Sequence, residues 1–309
     1  MGVVSLESGR VSDVARGPHR TWWRRGMTRR PYFLEGFTWA YLAWSLLPIC
    51  IAVMFSFNAG KSNSTWQGFS LRWYLTDPND SVLHSAELHT AVIQTLRLGL
   101  LTTVIAVPLG VAFAIGIDRW HGRIPNGLSF LMILSFVVPE LLLAVALMFV
   151  FTQLFTVVHF GTGAEVLGLV VWNLSWPAII VRARLLTIGY DYEEAAADLG
   201  ASRLSAIFRV LVPLLMPAIF ASAVLVFASV IDDFVLVEQL SSSAATQSMA
   251  VVIYSNVHGG LAGPALNALA TLMLLFSIIL AAGGYLGYRF MTRGERGSGM
   301  DALTQFANA

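Results

Sequence analysis

Six long apolar runs, near residues 37–57, 90–117, 127–155, 166–186, 211–237 and 265–290, constrain this chain more than any other feature. A bilayer's hydrocarbon core is about 30 Å thick and takes roughly 20 apolar residues per helical span. The expected fold is therefore all-α: a polytopic membrane protein with six transmembrane helices. Composition agrees, since 56% of the 309 residues are hydrophobic and 12% charged, against about 25% charged in an ordinary soluble domain. The first run, FTWAYLAWSLLPICIAVMFSF, is unbroken, and the last follows Pro264, which suits the first turn of a helix. Pro139 removes a backbone donor within the third run and predicts a kink there, in a helix that faces protein. The domain organisation reads as a basic arm over 1–36, a membrane domain over 37–290 and a tail over 291–309.

Orientation follows from arginine and lysine in the connections, the statistic that sets membrane topology. The arm carries Arg10, Arg16, Arg20, Arg24, Arg25, Arg29 and Arg30. The connection after the second run has Arg119 and Arg123, and the one after the fourth has Arg182, Arg184, Arg203 and Arg209. Arg289, Arg293 and Arg296 close the chain, whereas the alternate connections hold only Lys61 and Arg72. Both termini are expected in the cytoplasm. The arm's Trp22 and Trp23 among arginines would also suit nucleic acid, but directly before a span a topology anchor is the simpler reading, and no nucleic-acid partner is expected. No signal-peptide pattern opens the chain. Arg97, inside the second run, is expected to snorkel to the interface. Cys50, the single cysteine, sits in an apolar run and reads as a core-packing residue.

Residues 187–213, TIGYDYEEAAADLGASRLSAIFRVLVP, are a polar stretch of helical spacing between the fourth and fifth runs. Asp191, Glu193 and Glu194 place negative charge where a short helix begins, and Gly200 ends it about two turns on. A second amphipathic piece, RLSAIFRVLV, runs into Pro213. The pattern predicts a short helix across the cytoplasmic face, with a glycine turn that lets another protein approach closely.

This segment resembles the signature of the integral membrane subunits of binding-protein-dependent ATP-binding-cassette importers: Glu-Ala-Ala, three residues, Gly, nine residues, then Ile-x-Leu-Pro. Here Glu194, Ala195, Ala196, Gly200, Val210, Val212 and Pro213 stand at that spacing, with two valines as conservative departures. The resemblance spans roughly residues 40–290 and is nearest to spermidine/putrescine permease subunits, through LRWY at 71–74, VPELLLA around Glu140, EAAADLGAS, the Asp232–Asp233 pair and NALATL at 267–272. It implies that Glu194 to Gly200 form a coupling helix docking in a groove of a separate ATPase, with Pro213 closing the signature. It also implies a second permease subunit, an ATPase dimer and an extracytoplasmic substrate-binding protein as partners, in the inner membrane. ATP and Mg would belong to the partner ATPase, this chain holding no cofactor. The long basic arm is a departure.

Three acids fall inside the runs: Glu140 beside Pro139, and Asp232 with Asp233. An acid at mid-bilayer costs about 2.5–3.5 kcal/mol on insertion scales, so each predicts a protein-lined or watery path, a charge partner or a substrate. Spaced carboxylates in a low-dielectric passage suit a diffuse organic cation, and polyamines fit. The alternative is that they pair with Arg97, with one another through a shared proton, or with a sister subunit. On a helix the two aspartates would point about 100° apart, so only one would line a cavity. Trp172 and Trp176 would stack on a cation or serve as packing aromatics. Two apparent motifs carry less. The GKS at Gly60–Ser62 lacks the first glycine of a nucleotide-binding loop, Phe55 standing there, and His84, Glu87 and His89 lack the one-turn histidine spacing of a zinc helix. No nucleophile with a base is identifiable, so transport by an ATP-driven permease is the leading reading. A permease of this kind for another small solute, or a proton-coupled secondary transporter, are the rivals.

Overall fold

The structure, a computed structural model, describes residues 32–120, 123–260 and 263–292. The basic arm up to residue 31 and the tail from residue 293, with the topology expected from their arginines, lie outside the described residues. Among the described residues the fold is all-α, its one β feature an isolated bridge between Asn58 and Phe69. Five helical segments are long and apolar enough to cross a membrane: Tyr32–Ser56, Ala86–Arg119, Thr162–Ile188, Arg203–Asp232 and Pro264–Met291. A sixth span exists if the bent pair that follows the second is counted as one.

Helix α1, Tyr32–Ser56, starts five residues before the expected run. Residues up to Cys50 form one unit, and Ile51 onward form a second, far larger one. Side chains from Tyr32 to Cys50 are exposed throughout. Cys50 therefore does not pack in a core as expected. An apolar run reads the same whether lipid or protein will face it, so the sequence could not separate these cases.

Within the larger unit, α2 (Ala86–Arg119) is the organising rod. Ser85 caps its amino terminus, Glu87 sits in its first turn and Arg119 in its last, each charge suited to the helix dipole. Its 34 residues make a rod about 51 Å long at 1.5 Å per residue, so its ends project beyond the hydrocarbon core. Arg97 lies on its exposed face.

The third run is broken rather than kinked. Helix α3 (Arg123–Val137) stops and α4 (Glu140–Phe149) restarts, with the halves bent by 105°. Pro139 has no N–H and adopts an extended ψ of 131°, and its carbonyl accepts from Leu142 and Leu143 to seed the new helix. Within this chain Leu141, Leu142 and Phe149 are more than half exposed.

Helices α5 (Thr162–Asn173) and α6 (Ser175–Ile188) together make the fourth span. The short helix α7 (Asp191–Asp198) follows, then α8 (Arg203–Ala206), a π turn over Ile207–Leu211, and α9 (Val212–Asp232). The fifth run does not continue to residue 237: it ends at Asp232, and α10 (Val235–Leu240) is separate. Helices α11 (Met249–His258) and α12 (Pro264–Met291) complete the chain, α12 beginning at the expected proline.

The main core lies where α2, α5, α6, α9 and α10 converge on Leu98, Leu169, Leu185, Leu215 and Leu236. Close helix approach depends on glycine. A Cβ on Gly110 of α2 would lie 2.5 Å from the Pro177 ring of α6, and one on Gly284 of α12 would lie 2.7 Å from Val224 of α9. A second core joins the connection between α1 and α2 to α11 and α12 around Trp73, Met249 and Leu269. Trp73 donates its indole N–H to the Asn58 carbonyl at 2.6 Å, and Arg72 pairs with Asp77 at 2.6 Å. This connection is thus a folded element, in which Lys61 of the GKS tripeptide pairs with Asp80 on the surface.

Candidate functional site: a projecting helix and a carboxylate cluster

Helix α7 is built from its sequence with little ambiguity. Gly189, at φ 74°, turns the chain out of α6, and Asp191, Glu193 and Glu194 occupy the first turn, where carboxylates oppose the helix dipole. Gly200, at φ 82°, ends it. The Gly200 N–H reaches the Ala197 carbonyl at 2.8 Å and the Ala201 N–H reaches that of Ala196 at 3.0 Å, the paired bonds of a Schellman stop. No atom would lie within 4 Å of a Cβ at Gly200, so conformation alone demands the glycine.

The helix has two faces. Asp191, Tyr192, Glu194, Ala195, Ala197 and Asp198 face outward, and Leu199 at the tip is 91% exposed. Glu193 and Ala196 turn inward. Glu193 approaches the buried guanidinium of Arg119 at 2.7 Å, and the same guanidinium donates to the Gly189 carbonyl at 2.7 Å. Glu194, Ala195 and Gly200 thus share one exposed surface, with Ala196 half-buried beneath it. Pro213, grouped with them from the signature, is not on that helix: it is the second residue of α9. There it follows the π turn, in which the Val212 N–H bonds to the Ile207 carbonyl, five residues back.

The three sequence-predicted acids separate into two places. Asp233 lies in the extended link after α9, is buried, and accepts from the Leu236 N–H at 3.1 Å, fixing the start of α10. The Glu140 carboxyl, at the first position of α4, meets that of Asp233 side chain to side chain. Two carboxylates in such contact repel unless a proton or a cation lies between them. Asp232 is the exposed last residue of α9 and lines a separate open cavity of about 570 Å³ with Phe234, Tyr254 and His258. The rings there lie in series and tilted to one another, with centroids 4.1 Å apart for Phe234 and Tyr254 and 4.0 Å for Tyr254 and His258. The 100° separation expected of the aspartates does not apply, because the helix ends between them.

Trp172 is half-buried against the main core, and Trp176 meets Phe136 edge-on at 4.9 Å. Neither lines the cavity holding Asp232. His84 bonds Ser81 and Glu87 bonds Asn256, and among the described residues no group of three or more His, Cys, Asp or Glu is arranged to hold a metal ion.

Sequence reasoning missed a fourth acid. Glu165 stands in the first turn of α5, wholly buried, and accepts from Gln94 of α2 at 2.8 Å. It abuts the run VLGLVVW, and a span drawn from Thr162 would have included it. Thr95, next to Gln94, accepts from the Met249 N–H at 2.8 Å, so the amino-terminal third of α2 is tied to both α5 and α11.

A polytopic helical fold with one short acidic helix projecting from its bundle suits a membrane transport subunit. Comparison with known proteins agrees. Residues 106–296 match the family described as binding-protein-dependent transport system inner membrane component, and the chain belongs to that family. It is 30% identical over 266 residues to the spermidine/putrescine transport system permease protein PotC of Escherichia coli K12, covering 85% of this chain and 96% of that one. It is likewise 30% identical over 268 residues to the putrescine transport system permease protein PotI of the same organism, covering 85% and 90%. Among solved structures, a bacterial ABC transporter involved in import of the acidic polysaccharide alginate matches with a TM-score of 0.69 at 15% identity, over 88% of this chain and 99% of that one. The protein is therefore an importer permease subunit, multi-pass in the inner membrane.

Proposed function

We propose that this chain forms part of the substrate path of an ATP-driven polyamine importer and that α7 docks it to a separate ATPase. The observation that carries the reading is α7 itself, a helix of eight residues that leaves Glu194 and Leu199 exposed while its other face is anchored. An apolar side chain 91% exposed at such a tip suits a groove on another protein. The arginine asymmetry puts that tip and both termini in the cytoplasm, where an ATPase dimer carrying ATP and Mg would reach it. A second permease subunit and an extracytoplasmic binding protein would complete the assembly; the alginate transporter of similar fold was solved in complex with a periplasmic protein.

Polyamine as substrate rests on the named relatives and on the acids. Glu140 against Asp233 offers a place where a cation relieves repulsion, and Asp232 beside the Phe234, Tyr254 and His258 rings offers charge and π faces together. Trp172 and Trp176 of the fourth span remain candidate path residues on the strength of their aromatic faces alone. A proton-coupled carrier would find use for the same carboxylates but would leave α7 without a task.

Affinity purification of the tagged chain from membranes co-expressing its partners tests the docking. Glu194→Lys and Leu199→Asp should each release the ATPase, and retention by either would refute it. Uptake of labelled spermidine should fall at least tenfold for Glu140→Gln with Asp233→Asn, and for Asp232→Asn, at equal protein level. Unchanged uptake removes the assigned role.

A further inference from the structure

We infer that Arg119 is the positioning residue that fixes α7 to α2, so that movement of the docking helix is delivered to the longest rod in the fold. The inference rests on the reading that α7 docks an ATPase.

The geometry is specific to a guanidinium. Arg119 is buried, and one terminal nitrogen lies 2.7 Å from the Glu193 carboxylate and 2.7 Å from the Gly189 carbonyl. The other pairs with Asp118 of its own helix, and the planar group lies 4.2 Å above the ring of Tyr190. The Tyr190 hydroxyl donates to the Asp118 carbonyl at 2.9 Å, and Arg203 of α8 donates to the Arg119 carbonyl at 3.4 Å. The end of α2 thus holds the residue that ends α6 (Gly189), the residue before α7 (Tyr190), the inward face of α7 (Glu193) and the start of α8 (Arg203). A lysine would supply one point charge and no planar face to place on Tyr190.

What makes this a transmission contact is the other end of the rod. Gln94 and Thr95, some 25 residues earlier on the same unbroken helix, hold Glu165 of α5 and the first residue of α11. The helix runs without interruption from Ala86 to Arg119, although Pro108 lies within it, so the polar anchors near its two ends are joined by one packed element, a physical route for coupling between distant sites. Residues touching the ATPase would be on the outward face of α7. Arg119 is on the inward side, and its part is to keep that face in register with α2.

The test uses the complete transporter in proteoliposomes, reading labelled spermidine uptake, ATP hydrolysis and ATPase retained on the purified complex. Arg119→Ala is expected to keep the ATPase bound and ATP hydrolysis within about twofold, while uptake per ATP hydrolysed falls at least tenfold. Arg119→Lys should recover only part of that loss. Glu193→Gln, which removes the ion pair without changing volume, should show the same uncoupling, and joining it to Arg119→Ala should add nothing further. Uptake per ATP unchanged in Glu193→Gln overturns the proposal. So does loss of retained ATPase in step with uptake in Arg119→Ala, because the residue would then be holding the fold only. Glu194→Lys separates the two readings. An ATPase retained by that variant overturns the docking on which the tether depends, whereas its release together with unchanged uptake per ATP in the Arg119 variants overturns the tether alone.

Discussion

The crossing of α2 and α6 at Gly110 gives a direct measure of how tightly this membrane core is built. In Gly110→Ala the added methyl would sit 2.5 Å from Cγ of Pro177 and 3.0 Å from the Leu174 carbonyl oxygen. Ordinary carbon contacts begin near 3.5 Å, so the helices must part by about 1 Å. Neither neighbour can swing aside, one being a proline ring and the other backbone. Overpacking of this kind costs about 1–3 kcal/mol, and a clash against rigid atoms belongs at the upper end. The intrinsic helix preference for alanine over glycine returns about 1 kcal/mol, leaving Gly110→Ala about 2 kcal/mol less stable. Gly116→Ala is the internal control. It lies on the same helix with nothing within 4 Å of its Cβ, so it keeps the helix gain without the clash. The two variants should differ by about 3 kcal/mol in reversible SDS denaturation of the micellar protein, followed by far-UV circular dichroism. Equal unfolding midpoints would refute the reasoning, because they would mean that α2 and α6 are not in contact at Gly110.

Gly200→Ala should destabilise the end of α7 by about 1–2 kcal/mol through its left-handed backbone at φ 82°, with no steric component. Hydrogen exchange of the Gly200 and Ala201 amides should rise accordingly, and less so in Gly200→Asn. In the connection between α1 and α2 the Arg72 side chain, aided by the Asp80 and Asn79 backbone amides, holds the Asp77 carboxyl at about 2, below the ordinary 3.8. A depressed carboxylate stabilises the fold above its unfolded value and loses that contribution as pH falls through its folded one. Resistance of residues 57–85 to proteolysis should therefore be flat from pH 8 to about pH 4 and fail only as pH nears about 2, while Asp77→Asn should be sensitive throughout. Trp73→Phe leaves the Asn58 carbonyl without the donor at 2.6 Å, a cost of about 1–3 kcal/mol, and should speed trypsin cleavage at Lys61.

Much of the architecture was legible because its signals are local. Run length gave the spans, Pro264 gave the start of α12, and Gly200 gave the stop of α7, each through a backbone rule that needs no partner. The breaks were harder. Pro139 announced a disturbance, but a 105° turn rather than a kink depends on what α4 packs against. At Asp232–Asp233 no proline or glycine marks the end of α9; the helix stops because Asp233 is used to begin α10 and to meet Glu140, both tertiary facts. Cys50 shows the limit from the other side, since hydrophobicity states that a residue avoids water without stating what replaces it. Arg119 was legible only as one positive charge in a topology count. Its work depends on Gly189, Tyr190 and Glu193, some 70 residues away in sequence.

The π turn at Ile207–Leu211 has a consequence for how such a chain can vary. Each residue along a helix advances the direction of side chains by about 100°, and a π turn carries one residue more than the α-helical path it replaces. The stretch from Gly200 to Pro213 is therefore a dial as well as a spacer: it fixes the angle at which α9 presents Asp232 and Phe227 relative to the face that α7 shows outward. Replacing Val210 or Val212 by another apolar residue leaves the dial where it stands. Deleting one residue between Gly200 and Ile207 would turn the span by about 100° relative to α7, whereas a deletion inside the π turn is absorbed as that turn becomes α-helical. Spacing in this segment is under tighter constraint than identity, and a family signature can keep its intervals while its letters drift.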